Sequence, residues 1–349
     1  MNVLLHLDPL CRSQDMTRNR LDVYAKITHA LTKQGARVQI YLDTSNLELA
    51  RKSFNTSNDQ NLLIHDTWSW NDQYSYESLA YANNLPEELI EFSRRTYDKI
   101  NSQQDLIITN TPSSLLRKKW QHELICHYEL GIFNRNPFKK FYQFDPIGYY
   151  HNSVLAKYPT FGAPATSKQI NDIETQRGKF LELINLKIKD IGSINATYIP
   201  IPSDNWTVKT EINSNSKIDY ILDYAKNHSN ELILTNEKPG FSISDFEKEQ
   251  LIEQGNIQFV PNEDNQGIGS KLSIICKKTH TFSPSLGLQT IFWGNELSAP
   301  IQSSMIGWAC LDKPIEKLAS YLDEFHLDDF EKIPNKIEIW NQYNPYKGI

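Results

Sequence analysis

The residues of this chain that could do chemistry gather in two segments. The first contains His127, Tyr128, Glu129, Leu130 and Gly131, then Phe144, Asp145, Pro146, Ile147, Gly148, Tyr149, Tyr150, His151 and Asn152. Its two carboxylates, Glu129 and Asp145, are the minimum equipment for displacement at a sugar carbon with acid–base assistance. The glutamate falls where a parallel strand is predicted to end, and the aspartate beside a glycine turn. Ligands of open α/β sheets bind outside the carboxyl ends of the strands, which is where both acids would stand. Taken alone, either acid could equally cap a helix or lie at the surface.

The second segment runs from Thr281 to Leu297, through Ser283, Pro284, Ser285, Leu286 and Gly287, and closes with Ser298, Ala299 and Pro300. It reads as a strand end, a loop of small residues, the first turn of a helix, a glycine stop and a further strand. Ser283 and Ser285 stand at the helix start, where unbonded backbone N–H groups and the helix dipole favour a phosphate. Ser285 could also simply cap the helix, the commonest use of serine there.

Elements that could position these segments are visible on both sides. A strand over residues 2–7, a helix over 18–34, Gly35 and a strand over 37–42 make a βαβ unit, which implies a parallel sheet and a right-handed crossover. A helix at 86–100 and strands at 105–109 and 123–128 continue the pattern. A long charged helix over 167–189 then reads as the crossing between domains. A second alternation follows: strand 196–201, helix 217–227, strand 231–235, helix 244–253, strand 257–260, helix 270–277, strand 280–283 and helix 285–292. The expected organisation is an N-terminal Rossmann-like domain (1–166), a linker helix (167–195), a C-terminal Rossmann-like domain (196–312) and a helical tail (313–349) packing back across the linker. A length of 349 residues suits two such domains.

Composition narrows the function. A formal net charge of −6 argues against a protein held to nucleic acid by phosphate contacts. No apolar run of about 18 residues predicts a membrane span, and the N-terminus lacks the basic region of a signal peptide. Cys11, Cys126, Cys276 and Cys310 form no CxxC pair, so neither a zinc site nor a disulfide framework is expected and a reducing cytoplasm is the natural compartment. Asp328 and Asp329 read as a solvated helix face rather than a metal motif. The chain's 17 Tyr and 7 Trp suit sugar-binding walls and ordinary cores alike.

Together the two segments resemble the capsular polysaccharide biosynthesis family, whose members include retaining β-Kdo transferases. The second matches as a strand followed by Ser-x-Ser-Leu-Gly, a threonine, a glycine-led strand and the pair Gly307, Trp308. The first matches through Glu129, Gly131, Asp145, Gly148, Tyr149 and Tyr150. The resemblance spans about residues 124–308. It implies a GT-B fold, with two Rossmann-like domains facing across a cleft, and transfer of Kdo or a similar ulosonic acid from a CMP-sugar donor without a metal or other cofactor. On this likeness Asp145 is the expected nucleophile and Glu129 the base. Ser283, Ser285, Leu286 and Gly287 would meet the donor phosphate; His127, Tyr149, Tyr150 and Asn152 would meet sugar or acceptor. The acceptor would be a saccharide or lipid-linked glycan at the inner face of the cell membrane, with peripheral membrane or polysaccharide-assembly association left open. One departure stands out: the family's Lys-x-His-Pro motif appears here as Glu237, Lys238, Pro239, so a lysine replaces the histidine. Lys238 and Pro239 are the expected donor contacts there, the lysine able to meet a phosphate or carboxylate as a point charge; a solvated loop lysine is the plain alternative. Two other functions remain open: a GT-B transferase using CMP-sialic acid or a nucleotide-diphosphate sugar, and a non-catalytic sugar-binding scaffold.

Overall fold

The computed structural model describes residues 1–7, 14–54, 62–65, 87–98, 100, 103–110, 116, 119–133, 141–148, 153–158, 161, 164–202, 208, 212–238, 242–262, 267–300, 306–307 and 312–344. These form two compact units that do not follow chain order. Met1–Leu130, Tyr142–Val154 and Glu324–Ile349 make the first; Gly131–Phe141 and Leu155–Asp323 make the second.

The first unit opens with β1 (Asn2–His6), α1 (Gln14–Lys33) and β2 (Arg37–Asp43), the βαβ unit expected from the sequence. Gly35 adopts a φ of +79° in the turn between α1 and β2, a conformation that favours glycine. Next come α2 (Leu47–Ser53), β3 (Leu62–His65), α3 (Glu87–Tyr97), β4 (Leu106–Thr109), β5 (Leu124–Leu130), β6 (Tyr142–Asp145) and α4 (Val154–Lys157). The second unit contributes α5 (Ser167–Leu183), β7 (Ile194–Pro200), α6 (Lys217–Asn227), β8 (Ile233–Asn236), α7 (Asp245–Glu253) and β9 (Ile257–Phe259). It continues with α8 (Ile268–Ile275), β10 (Cys276–His280), α9 (Pro284–Trp293), β11 (Glu296–Ser298) and α10 (Pro314–Phe325). The chain then returns to the first unit with β12 (His326–Leu327) and α11 (Ile333–Gln342).

The first sheet has the order β12-β6-β5-β4-β1-β2-β3 and the second β11-β10-β7-β8-β9. All pairs of the second sheet are parallel, as are those linking β3, β2, β1, β4 and β5 in the first; β6 runs antiparallel to both β5 and β12. Val3, Leu4, Leu5, Ile107 and Ile108 are fully buried, as expected of parallel strands covered on both faces. In each sheet the strand order reverses beside the first strand of the unit, between β1 and β4 and between β7 and β10. The class is therefore α/β with two Rossmann-like sheets, as the sequence predicts.

Several details differ from the sequence reading. The charged helix predicted over 167–189 stops at Leu183, with Asn185 at a φ of +56°. It is an integral part of the second unit, burying Ile173, Phe180 and Leu181, where a linker helix was expected. Residues 276–277, read as a helix end, instead begin β10, which finishes at His280 where a strand was expected to start. Pairing with β7 buries Cys276, Thr279 and His280 and overrides local propensity. The C-terminal tail divides between the units: α10 stays in the second, while β12 pairs with β6 and α11 stacks Trp340 on Phe144 at 5.5 Å. Asp329 caps a 3-10 turn by accepting from the Glu331 N–H at 2.9 Å, and Asp328 pairs with Lys332 at 2.9 Å.

Candidate functional site

In the first unit a polar row crosses the sheet, at the carboxyl ends of β1 and β4 and inside β2 and β5. Tyr41, His6, Thr109, His127 and Asp145 are successive cross-strand partners on β2, β1, β4, β5 and β6. Registered partners project to one face, with Cβ atoms about 4.5–5.5 Å apart. His6 Nδ1 lies 3.0 Å from Thr109 Oγ1 across the β1–β4 reversal point, and its ring stacks on Tyr41 with centroids 5.1 Å apart. His6, Thr109, His127 and Asp145 are all fully buried. Their strands are apolar until these last residues (Val-Leu-Leu-His, Leu-Ile-Ile-Thr), and that terminal polarity is the signal by which His6 and Thr109 could have been found in the sequence.

Glu129 lies two residues beyond His127 on β5, hence on the same face, opposite Gln143 of β6. It is partly exposed as a residue. Burial nonetheless pushes its carboxyl above the ordinary range, against the opposing pull of the Leu130 N–H and of Arg20. The Leu130 N–H donates to Glu129 Oε1 at 2.8 Å. A carboxyl that burial raises at a strand end is a candidate for proton exchange.

Asp145 is held differently. Its Oδ1 accepts from the Ile147 N–H at 2.9 Å and the Gly148 N–H at 3.2 Å, and its Oδ2 from the Val154 N–H at 3.0 Å. The carboxylate thereby ties the turn after β6 to the first residue of α4, and three N–H donors suit its anionic form. Tyr149, Tyr150 and Asn152, expected to meet sugar or acceptor, lie outside the described residues, as does Pro239.

The second unit presents α9 directly after β10, beside the strand reversal between β7 and β10. The N-cap of α9 is Ser283, and it makes no side-chain capping bond. Thr166, Ser216 and Ser244, at the starts of α5, α6 and α7, all do. Pro284 opens the α9 helix without an N–H, leaving the Ser285 and Leu286 amides without a side-chain cap. Ser285 lies inside the first turn and is exposed, so it is not the cap that serine there could have been. Gly287 has a packing reason: a Cβ there would meet Ile306 Cγ2 at 2.7 Å, and its N–H already donates to the Ser283 carbonyl at 2.9 Å. Lys238 follows β8 and is exposed. Its loop is shaped by a network in which Tyr198 Oη donates to Asn236 Oδ1 at 2.7 Å and Asn236 Nδ2 to Asn262 Oδ1 at 3.0 Å. Asn262 Nδ2 in turn donates to the Glu237 carbonyl at 2.8 Å. Among the described residues no group of three or more His, Cys, Asp or Glu side chains is placed to hold a metal ion.

The chain that leaves the first segment also meets the second within the second unit. Immediately after Glu129 and Leu130 the chain enters that unit at Gly131. The Ile132 carbonyl accepts from Gln289 Nε2 of α9 at 2.5 Å. The Phe133 ring packs at 4.6 Å from Phe292 and 4.7 Å from Phe180. Gln289 and Phe133 were not singled out by sequence, because neither type nor spacing distinguishes them from core residues.

The fold defines the class as far as an α/β protein with two Rossmann-like sheets, each with its own strand reversal. No family model matches the sequence, and no curated protein matches it. Among solved structures, the chain is similar to the β Kdo 2,7 transferase KpsC of Thermosulfurimonas dismutans, with 11% identity and a TM-score of 0.47 over 86% of this chain and 98% of that one. The β Kdo 2,4 transferase KpsC of the same organism aligns at 11% identity and TM-score 0.43, over 92% of this chain and 89% of that one. Arabidopsis thaliana UGT89C1 complexed with UDP aligns at 10% identity and TM-score 0.35, over 98% of this chain and 99% of that one.

Proposed function

We propose that this chain is a glycosyltransferase that moves Kdo, or a similar ulosonic acid, from a CMP-linked donor to a saccharide acceptor of a bacterial surface glycan. The observation that carries the reading is the start of α9. Its N-cap serine makes no capping bond, and the helix opens at the carboxyl end of β10 beside the strand reversal, where open α/β sheets receive ligands. In this reading the Ser285 and Leu286 amides and the Ser283 hydroxyl hold the single phosphate of CMP, and Lys238 adds a point charge for the phosphate or the sugar carboxylate. Asp145 attacks the anomeric carbon as CMP leaves, forming a glycosyl adduct. Glu129, its pKa raised by burial, takes the proton of the acceptor hydroxyl in the second displacement. The phosphate of CMP leaves as a stable anion and requires little protonation.

A second reading keeps the transferase chemistry but changes the donor to CMP-sialic acid or a nucleotide-diphosphate sugar. It is favoured by Lys238 standing where the family carries histidine, since a lysine supplies charge without imidazole proton chemistry at neutral pH. Thermal unfolding with CMP, UDP and GDP separates a CMP-linked donor from a nucleotide-diphosphate one. A ligand at a hundred times its Kd adds about 2.7 kcal/mol to stability. Stabilisation by CMP alone supports a CMP-linked donor. A larger response to UDP or GDP sinks it.

A further inference from the structure

We propose that Gln289, together with Phe133, is a positioning residue for Glu129, pinning the peptide just downstream of that carboxylate onto α9; the inference rests on Glu129 being the acceptor base. Glu129 depends on the Leu130 amide, which donates to its Oε1 at 2.8 Å. That amide lies at a joint anchored from both sides. Upstream, Glu129 and Leu130 are registered against Gln143 and Tyr142 in the β5–β6 ladder, and the Gly131 N–H donates to the Phe141 carbonyl at 2.9 Å. Downstream, Ile132 and Phe133 are 4% and 3% exposed and are held by α9.

The downstream anchor has one polar and one apolar part. Gln289 is 7% exposed, and its Nε2 donates to the Ile132 carbonyl at 2.5 Å. Only the amide nitrogen can face a carbonyl oxygen, so this single bond orients the whole side chain. Phe133 is wedged among Phe180, Phe292 and Trp293, at 4.7, 4.6 and 6.0 Å between ring centroids. An aromatic cluster of this kind resists displacement, because each ring pair adds attraction beyond the area it buries. Gln289 occupies the second turn of α9, the helix whose first turn is the proposed phosphate site. One helix therefore holds the donor at its start and the base's peptide one turn later.

The test uses the full chain without substrate, labelled with 13C at glutamate side-chain carboxyls, the Glu129 signal being assigned by its loss in Glu129→Gln. Besides the joint, the groups acting on Glu129 are Arg20 of α1, which favours its charge, and Tyr128 beside it, which burial keeps neutral. Neither is touched by Gln289→Met, which keeps the side-chain volume and removes the donor. The expected result is that the Glu129 titration moves from its wild-type position: up where only the Leu130 N–H that favours the anion is lost, down where the released carboxyl also escapes the burial that raises it. Amides 130–133 should also exchange with solvent at least about tenfold faster as the joint opens locally. Gln289→Asn, whose amide is one methylene short, should behave alike and serves if the methionine variant does not fold. A Glu129 titration that stays in place in the variants overturns the proposal, since a purely structural role for Gln289 would not move it. Failure of CMP to stabilise the wild type would sink the proposed function, yet this titration would still decide the positioning role.

Discussion

Two junctions between a strand and a helix treat their polar groups in opposite ways. After β6, Asp145 takes three backbone N–H groups onto its own carboxylate and ties the turn to the start of α4. After β10, Ser283 makes no cap and leaves the first amides of α9 without a side-chain partner. Thr166, Ser216 and Ser244 cap their helices in the same unit, so the α9 start is not a general habit of the sequence. One junction is complete in itself and carries its negative charge within. The other offers positive potential and supplies no anion of its own. The same residue class (a polar residue at the end of a strand) thus serves as a built-in anion in one place and as an invitation to an external one in the other.

The comparison can be broken most forcefully at Asp145. Asp145→Asn should lower sugar transfer by about three orders of magnitude or more if the carboxylate is the nucleophile. It should also cost about 1–3 kcal/mol of stability, because an amide NH2 cannot accept from the amides it would face. Urea unfolding beside initial rates separates the roles: transfer near the wild-type rate with lowered stability would leave Asp145 as a loop-closing residue only. Glu129→Gln should reduce transfer by about 10²- to 10⁴-fold while leaving stability at pH 7 unchanged or raised. The sign follows from the raised folded-state pKa. A carboxyl that holds its proton more tightly when folded loses stability as pH rises through the carboxylate range, and glutamine removes that loss. A glutamine variant that unfolds more easily at neutral pH would contradict the assignment of burial as the cause.

Ser285→Glu places an anion at the helix start and should weaken CMP binding by at least about tenfold through repulsion. Unchanged stabilisation by CMP would remove α9 as the phosphate site and erase the contrast between the junctions. The smallest expected effect concerns His280, three residues before Ser283, whose Nδ1 lies 2.9 Å from Ser298 Oγ and whose ring stacks on Tyr220. Burial, then Lys278 and His228, push its pKa down to about 3. The unfolded chain therefore binds the extra proton between about pH 6.5 and 3, and stability falls as pH drops through that window. His280→Gln should flatten this acid limb in urea melts at pH 7 and pH 4.5, and an equally steep limb would point to another group.

The α/β alternation was legible because it is written in local periodicity: helical spacing in α1, β-branched residues in β2, a glycine at the turn. The two segments singled out for chemistry stood out for a related reason, as contiguous runs of distinctive residue types. What escaped was information held between distant residues. β12 is two residues long and carries no period of its own; only its pairing with β6 makes it a strand. Gly287 looked like backbone exposed for a phosphate, yet its lack of a side chain makes room for Ile306. The His6–Thr109 contact depends on β1 and β4 being neighbours, which follows from the strand order and not from either strand's sequence.

The late return of the chain to its first sheet has a consequence for how the protein comes into being. A ribosome delivers β1 to β6 early, but β6 has no second neighbour until residues 326–327 appear, and Phe144 does not meet Trp340 until α11 has emerged. Throughout that interval the nascent sheet presents an unpaired strand edge and an uncovered aromatic ring, the features that invite wrong partners. The segment from Leu155 to Asp323 is complete sooner, although it borrows Gly131–Phe141 from the earlier stretch. The second unit is therefore complete before the first, and any product stopped at Asp323 carries a mature second unit on a first unit that still lacks β12.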